Sequence, residues 1–409
     1  MHSLCRNPHW VIFPTALSWA LSASLCALGA QEPGSAERRW EFAGVPAINF
    51  DSDEGFGYGA VVEFYRYAEG DEYEPYVLTL QPTVLFSTEG RRDLTVFFDT
   101  PYLLRGGWRL TVFAGTEHHT ATPYYGIGND SDYDEGLERD DGPDPYFYRF
   151  GRTRNRLAFD LQRPIGDTPL RALFGGGSGR TSINLTPHDE GTTLLAAELA
   201  RRGDTLPGGW TNFVRGGLVW DTRDREVGTR NGTWSEILVK SAAEPLGGDH
   251  SFTTWTVTFR RYFSLGGRIV LANRLILQST SGDAPFYELQ QLDTSFKAQE
   301  GLGGAKTLRG IPKNRYTGKG IFLWNRELRW RATEFTTFDR DFHLVVTAFV
   351  DSGRVWAEGV ALGEALSDLH HGYGGGLKLG MGENFIVSLD VGHSRESTAP
   401  IYLGLGYLY

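Results

Sequence analysis

Arg309, Glu327 and Asp351 are the residues of this 409-residue chain whose types and spacing point to a built interaction. Arg309 sits in Leu308-Arg309-Gly310-Ile311, on the longest irregular connection, 280–318. Glu327 alternates with Leu328 and Asp351 with Val350, so both carboxylates are expected on the polar faces of strands. A planar guanidinium pairs with carboxylates in a bidentate way, and Gly310 lets the backbone pass close to a wall. Such a latch is structural rather than catalytic. Other polar clusters fall short of chemistry. Asp130-x-Asp132-x-Asp134 opens like a calcium loop, but Glu135 stands where the sharp turn needs glycine and Asp141 where a bidentate Glu is usual. The acidic segment 129–144 therefore reads as a solvated loop. Glycine runs 175–177 and 374–376 do not continue into Gly-Lys-Ser/Thr before a helix. Ser178 is followed by Arg180 where a nucleophile elbow needs glycine. His118-His119 and His370-His371 lack further ligands and read as exposed loop residues. No catalytic residue, metal site or cofactor is expected.

The elements that must position the latch are strands. Phe385, Val387, Leu389 and Val391 share one face while Ile386, Ser388 and Asp390 share the other. Leu344, Val346, Ala348 and Val350 alternate in the same way, as do Trp255, Val257 and Phe259. A period of two puts successive side chains on opposite faces of a sheet. Many of these segments run about ten residues or more, the length that crosses a bilayer at a tilt. Lipid allows only helices or closed barrels, because every backbone N–H and C=O must pair internally.

Sixteen strands are expected, at 42–50, 57–68, 75–87, 91–100, 107–118, 146–164, 169–184, 209–222, 231–242, 250–263, 266–279, 319–332, 340–351, 372–381, 384–394 and 400–409. The fold class is thus all-β, a 16-stranded antiparallel transmembrane barrel. The long connections 119–145, 185–208, 280–318 and 352–371 each follow an odd-numbered strand, which places them all on one side. The final strand carries Ile401, Leu403, Leu405, Tyr407 and Tyr409 on one apolar face, fitting an outer-membrane targeting signal, with Gly404 and Gly406 weakening it.

Residues 1–30 differ from the rest. Arg6 is their only Lys, Arg, Asp or Glu, and an apolar stretch runs from Trp10 to Leu28. This reads as a secretory signal peptide, leaving 31–409 as the barrel domain. Both cysteines, Cys5 and Cys26, lie in the leader, so the mature chain is expected to have no disulfide. Aromatics at 13% suit membrane–water interfaces. A net charge of −10 argues against nucleic acid as a partner.

Gly303-Gly304-Ala305-Lys306-Thr307-Leu308-Arg309-Gly310-Ile311-Pro312, then Asn325-Arg326-Glu327-Leu328 and Phe349-Val350-Asp351-Ser352-Gly353-Arg354-Val355-Trp356, resemble the BamA/TamA family of outer-membrane barrels, also called the bacterial surface antigen family. Family members carry an Arg-Gly-aromatic motif on a long loop that folds into the lumen, where the Arg meets acidic residues. Here Ile311 stands at the usual aromatic, and Glu327 and Asp351 match the acidic positions. The resemblance extends to Pro46–Gly59 as a first hairpin, Tyr125–Asn129 at an outer loop, Val219–Asp224 as a mid-barrel turn and Gly406 as a kink glycine. It covers most of the mature sequence. The family's periplasmic POTRA domains have no counterpart, because only about a dozen residues separate Ala30 from the first strand, so a short, POTRA-less member is expected.

That resemblance implies a bacterial outer-membrane location and an accessory role in membrane-protein insertion, translocation or envelope biogenesis. It implies outer-membrane lipids and lipopolysaccharide, the barrel assembly machinery and client membrane proteins as partners. The alternative is a passive channel whose lumen the 280–318 loop plugs. A barrel lipase has no nucleophile–base constellation to support it.

Overall fold

The computed structural model describes residues 40–409 except 52–54, 67–76, 89, 105, 139–143, 187–191, 204–207, 296–298, 338–339 and 383–384. The signal-peptide expectation for 1–30, and Asp140 and Asp141 of the acidic segment, lie outside the described residues.

Among the described residues, alternation of apolar and polar side chains produces sixteen barrel strands. They are β1 (Trp40–Asp51), β2 (Gly55–Arg66), β3 (Leu78–Ser87), β4 (Arg92–Leu104), β5 (Trp108–Pro123), β6 (Arg149–Pro164), β7 (Leu170–Asn184) and β8 (Gly209–Asp221). The second half comprises β9 (Gly232–Ala242), β10 (Phe252–Ser264), β11 (Ile269–Gly282), β12 (Gly320–Thr337), β13 (Arg340–Trp356), β14 (His370–Met381), β15 (Phe385–His393) and β16 (Ile401–Leu405). Each pairs antiparallel with its sequence neighbours, and β1 meets β16 to complete a ring. The period of two is explicit on β11, where Ala272, Arg274 and Ile276 are fully buried while Leu271, Asn273 and Leu275 face outward. Outward side chains include Phe174, Trp220, Phe259, Trp330 and Leu377, all exposed. That is the apolar belt a lipid-facing barrel needs, with polar residues turned to the interior.

The long connections 124–148, 185–208, 283–319 and 357–369 all lie at one end, called here the loop end. The segment after β7 carries α1 (Leu194–Arg202), capped by the Thr193 hydroxyl accepting from the Ala196 N–H at 3.2 Å and stopped by Gly203 at φ +74°.

The ring is unevenly sewn. β1 pairs with β2 along its whole length, from Trp40↔Arg66 to Asp51↔Gly55. Among the described residues it meets β16 at Phe50↔Leu403 and Asp51↔Tyr402.

Three sequence expectations need correction. The strand expected over 400–409 stops at Leu405, because Gly406 takes φ +78° and turns the chain out of the sheet. Tyr407 and Tyr409 therefore do not extend the apolar face of Leu403 and Leu405; they pack inside. The Tyr409 hydroxyl donates to the carbonyls of Ala272 at 3.0 Å and Asn325 at 3.2 Å, on the inner faces of β11 and β12. Nor are the histidine pairs loop residues. His119 lies in β5 and bonds buried Asp93 at 3.1 Å, and His370 opens β14 stacked on Tyr316 at 3.8 Å. The acidic segment is partly built in: Asp134 caps a helical turn through the Gly136 N–H, and Glu138 pairs with Arg149 at 2.8 Å.

Candidate functional site: the lumen latch

The connection between β11 and β12 folds back into the barrel. Leu292, Leu302, Leu308, Ile311 and Tyr316 from this loop bury themselves against Ile276, Ile321, Leu323 and Val355 of the wall. Fully burying such side chains stabilises by about 1.5–3 kcal/mol each, so an apolar plug inside a polar-lined barrel has a direct physical cause. Ile311, at the position where an aromatic is usual, fills the same apolar role at 1% exposure.

The latch is built on this plug. Arg309 donates from Nε to Asp351 Oδ2 at 2.8 Å, from Nη2 to Asp351 Oδ1 at 3.2 Å and from Nη1 to Glu327 Oε2 at 2.7 Å. Its backbone N–H also reaches Asp351, at 3.2 Å. All three side chains are fully buried. The guanidinium lies 3.5 Å from the Phe349 ring centroid, two residues before Asp351 on the same inner face. Burial alone would depress the guanidinium's pKa; the charges of Asp351 and Glu327 outweigh it and hold the pKa well above its ordinary value. The site is thus permanently charged and permanently paired.

Gly310 has φ +93°, and a Cβ there would lie 2.7 Å from the His393 carbonyl oxygen. Only glycine lets the loop lie this close to β15. The approach also connects the loop to the closing strand. The Gly310 N–H donates to the Tyr402 hydroxyl of β16 at 3.1 Å, and the Ser394 hydroxyl donates to the Gly310 carbonyl at 2.6 Å.

The structure therefore brings together Arg309, Gly310, Glu327 and Asp351. Of the other residues singled out, Gly404 lies in β16 paired to Ser388, and Gly406 ends that strand. Tyr407 and Tyr409 reach the latch's lower edge, where the Arg329 guanidinium sits 4.1 Å from the Tyr407 ring and donates to the Tyr409 main-chain oxygen at 2.9 Å.

Several members were missed from sequence. Arg329 pairs with Glu327 at 2.8 Å, and Lys378 pairs with Asp390 at 2.6 Å while Asp390 stands 3.6 Å from Arg309. Their signal was modest: each lies at a polar position of an alternating strand, with nothing local to say which charge faces which across the lumen. On the opposite wall the loop is held by Lys240, paired with Glu288 at 3.3 Å and Asp293 at 2.9 Å. Arg215 adds a bond to the Thr294 carbonyl at 3.1 Å. At the loop end Arg315 pairs with Glu396 at 2.8 Å and lies among Tyr125, Tyr133 and Tyr316.

A search among curated proteins finds no match. Among solved structures, the chain is similar to BamA from Haemophilus ducreyi lacking POTRA domains 1–3, with a TM-score of 0.55, 13% identity, and coverage of 90% of this chain and 70% of that one. It is also similar to CdiB from Escherichia coli, with a TM-score of 0.56 and 13% identity, covering 91% of this chain but only 64% of that one. At such identities the likeness is one of fold. Residues 82–394, which include the plug, the latch and twelve whole strands, match the Omp85 superfamily domain, and the chain belongs to that superfamily of bacterial outer-membrane barrels.

Proposed function

We propose that this barrel serves an accessory role in inserting or translocating polypeptides at the outer membrane, with the β1–β16 seam as the moving part. The observation that carries this is that, among the described residues, the seam has two register pairs against twelve between β1 and β2. In lipid, unpaired backbone groups cost several kcal/mol each. A strand edge so sparsely paired is therefore primed to accept another strand or to distort the bilayer beside it. β16 adds to this by its brevity, five residues with Gly404 among them. The latched loop would act as the fixed internal support against which the seam moves, since Gly310 holds Tyr402 directly. A passive channel is the competing reading, and the buried plug speaks against it.

The test is to replace Phe50 and Leu403, a register pair, by cysteine. Oxidation should join the seam and halt assembly of client outer-membrane proteins, with reductant restoring it. Unimpaired client assembly in fully cross-linked cells would defeat the proposal. Large, stable conductance of the unmodified protein in planar bilayers would favour the channel.

A further inference from the structure

The outer wall carries polar groups where the belt should be apolar. Cross-strand register aligns Thr233 of β9 with Arg261 of β10, Arg261 with Asn273 of β11, and Asn273 with Arg326 of β12. All share the outward parity of Phe259, Phe263, Leu328 and Trp330, which are exposed. The row continues through hydrogen bonds: Arg326 Nη2 donates to the Ser352 hydroxyl at 2.8 Å, and that hydroxyl meets His371 Nδ1 at 2.9 Å. At the other end Arg261 Nη1 donates to the Thr233 hydroxyl at 2.8 Å.

The row is oblique to the membrane. Thr233 is the second residue of β9, next to the turn from β8, whereas His371 is the second residue of β14, next to the 357–369 connection at the loop end. A line across tilted strands thus becomes a polar stripe from one rim of the belt to the other. Asn273 lies between outward Leu271 and Leu275, and Arg326 between outward Trp324 and Leu328. Neither sits at a rim, where a long side chain reaches water at little cost.

We propose that this stripe binds the phosphate group of a membrane lipid, drawing the headgroup into the wall of β9–β12. The charge argues for an anion. Two guanidinium groups lie on this face, and among the described outward residues of β9–β14 between the rims there is no Asp or Glu. Arg326 Nε is buried with no hydrogen-bond partner, while the rest of its guanidinium is held in place by Ser352 and by Trp324, whose ring lies 4.2 Å away. Arg261 is similarly set against Phe263 at 4.8 Å. Planar guanidinium groups match phosphate oxygens in paired hydrogen bonds, and the medium bathing this face supplies phosphate on every phospholipid and on lipid A. The stripe includes neither seam strand, so it stands apart from the insertion proposal.

Full-length protein, purified in detergent and stripped of lipid, is mixed separately with phosphatidylglycerol, lipid A and uncharged diacylglycerol. Retained lipid is counted by native mass spectrometry, and quenching of Trp fluorescence by bromine-labelled chains gives a second readout. Phosphate-bearing lipid should be retained and diacylglycerol should not. Retention of phosphatidylglycerol identifies a phospholipid as the source, and retention of lipid A the outer leaflet. The Arg261→Gln/Arg326→Gln variant should lose about tenfold or more in affinity, the scale of one charge-assisted bond. Arg326→Gln alone, checked for the heat-dependent gel shift of a folded barrel, should lose severalfold and keeps the test available if the double variant does not fold. Equal retention of diacylglycerol, unchanged binding by a folded variant, or a lipid-free dimer that buries the stripe would each overturn the proposal.

Discussion

Replacing Arg309 by alanine removes the ion-pair partner of Asp351, leaving it the more distant charge of Arg274, and leaves Glu327 paired with Arg329 at 2.8 Å. Both carboxylates are fully buried, so the loss uncovers charge rather than exposing it to water. Breaking a buried pair from one side costs about 3–5 kcal/mol. Because Arg329 retains Glu327, the lower end applies, and ~3 kcal/mol corresponds to about a hundredfold or more in the equilibrium between docked and released loop. Hydrogen–deuterium exchange reads that equilibrium directly. The informative amides are Ile311, bonded to the Leu308 carbonyl at 3.3 Å, and Tyr316, bonded to the Leu302 carbonyl at 3.3 Å. Their protection should fall about a hundredfold in Arg309→Ala, while amides in β9 and β10, remote from the latch, hold theirs. Single-channel conductance should rise as the plug vacates the lumen. Arg309→Lys keeps the charge without the planar fork and should lie between the two. Loop protection within about threefold of the parent protein in a folded Arg309→Ala barrel would refute the claim that this ion-pair cluster docks the plug, because the whole magnitude rests on burial.

The loop's other contacts lead to two more expected outcomes. Gly372→Ala places a Cβ against the Arg309 carbonyl oxygen; the overlap should destabilise docking by about 1–3 kcal/mol, seen as faster proteolysis within 299–319 while the barrel keeps its heat-dependent gel shift. Glu288, on the loop, has a carboxyl that burial would raise but that Lys240 and Arg154 pull below its ordinary value of 4.5. A depressed carboxyl stabilises docking fully above that ordinary value and loses the contribution as pH falls through the lower, docked value. Conductance should therefore rise on acidification below about pH 4.5, and Glu288→Gln, already lacking the charge, should show a smaller acid response.

A period of two carries most of what one dimension makes legible in this chain. Alternation told inward from outward residues, located sixteen strands, though the expected ends of 118, 332 and 351 fall short of Pro123, Thr337 and Trp356, and put the long connections at one end. It also placed Glu327 and Asp351 inside, and the Leu308–Ile311 motif named the loop residue that meets them. Whatever depends on distance across the lumen or around the wall came only with the folded chain. Asp390 and Lys378 were legible only as polar positions; that they stand beside Arg309 depends on ring closure and on how deeply the plug descends. The fate of Tyr407 and Tyr409 turned on one backbone angle at Gly406, which no alternation pattern encodes. The polar stripe is likewise invisible in one dimension. Thr233, Arg261, Asn273 and Arg326 lie on four different strands, and each alone is one more polar residue in an alternating strand. Register alone lines them up, and strand tilt turns that line into a path from one rim to the other.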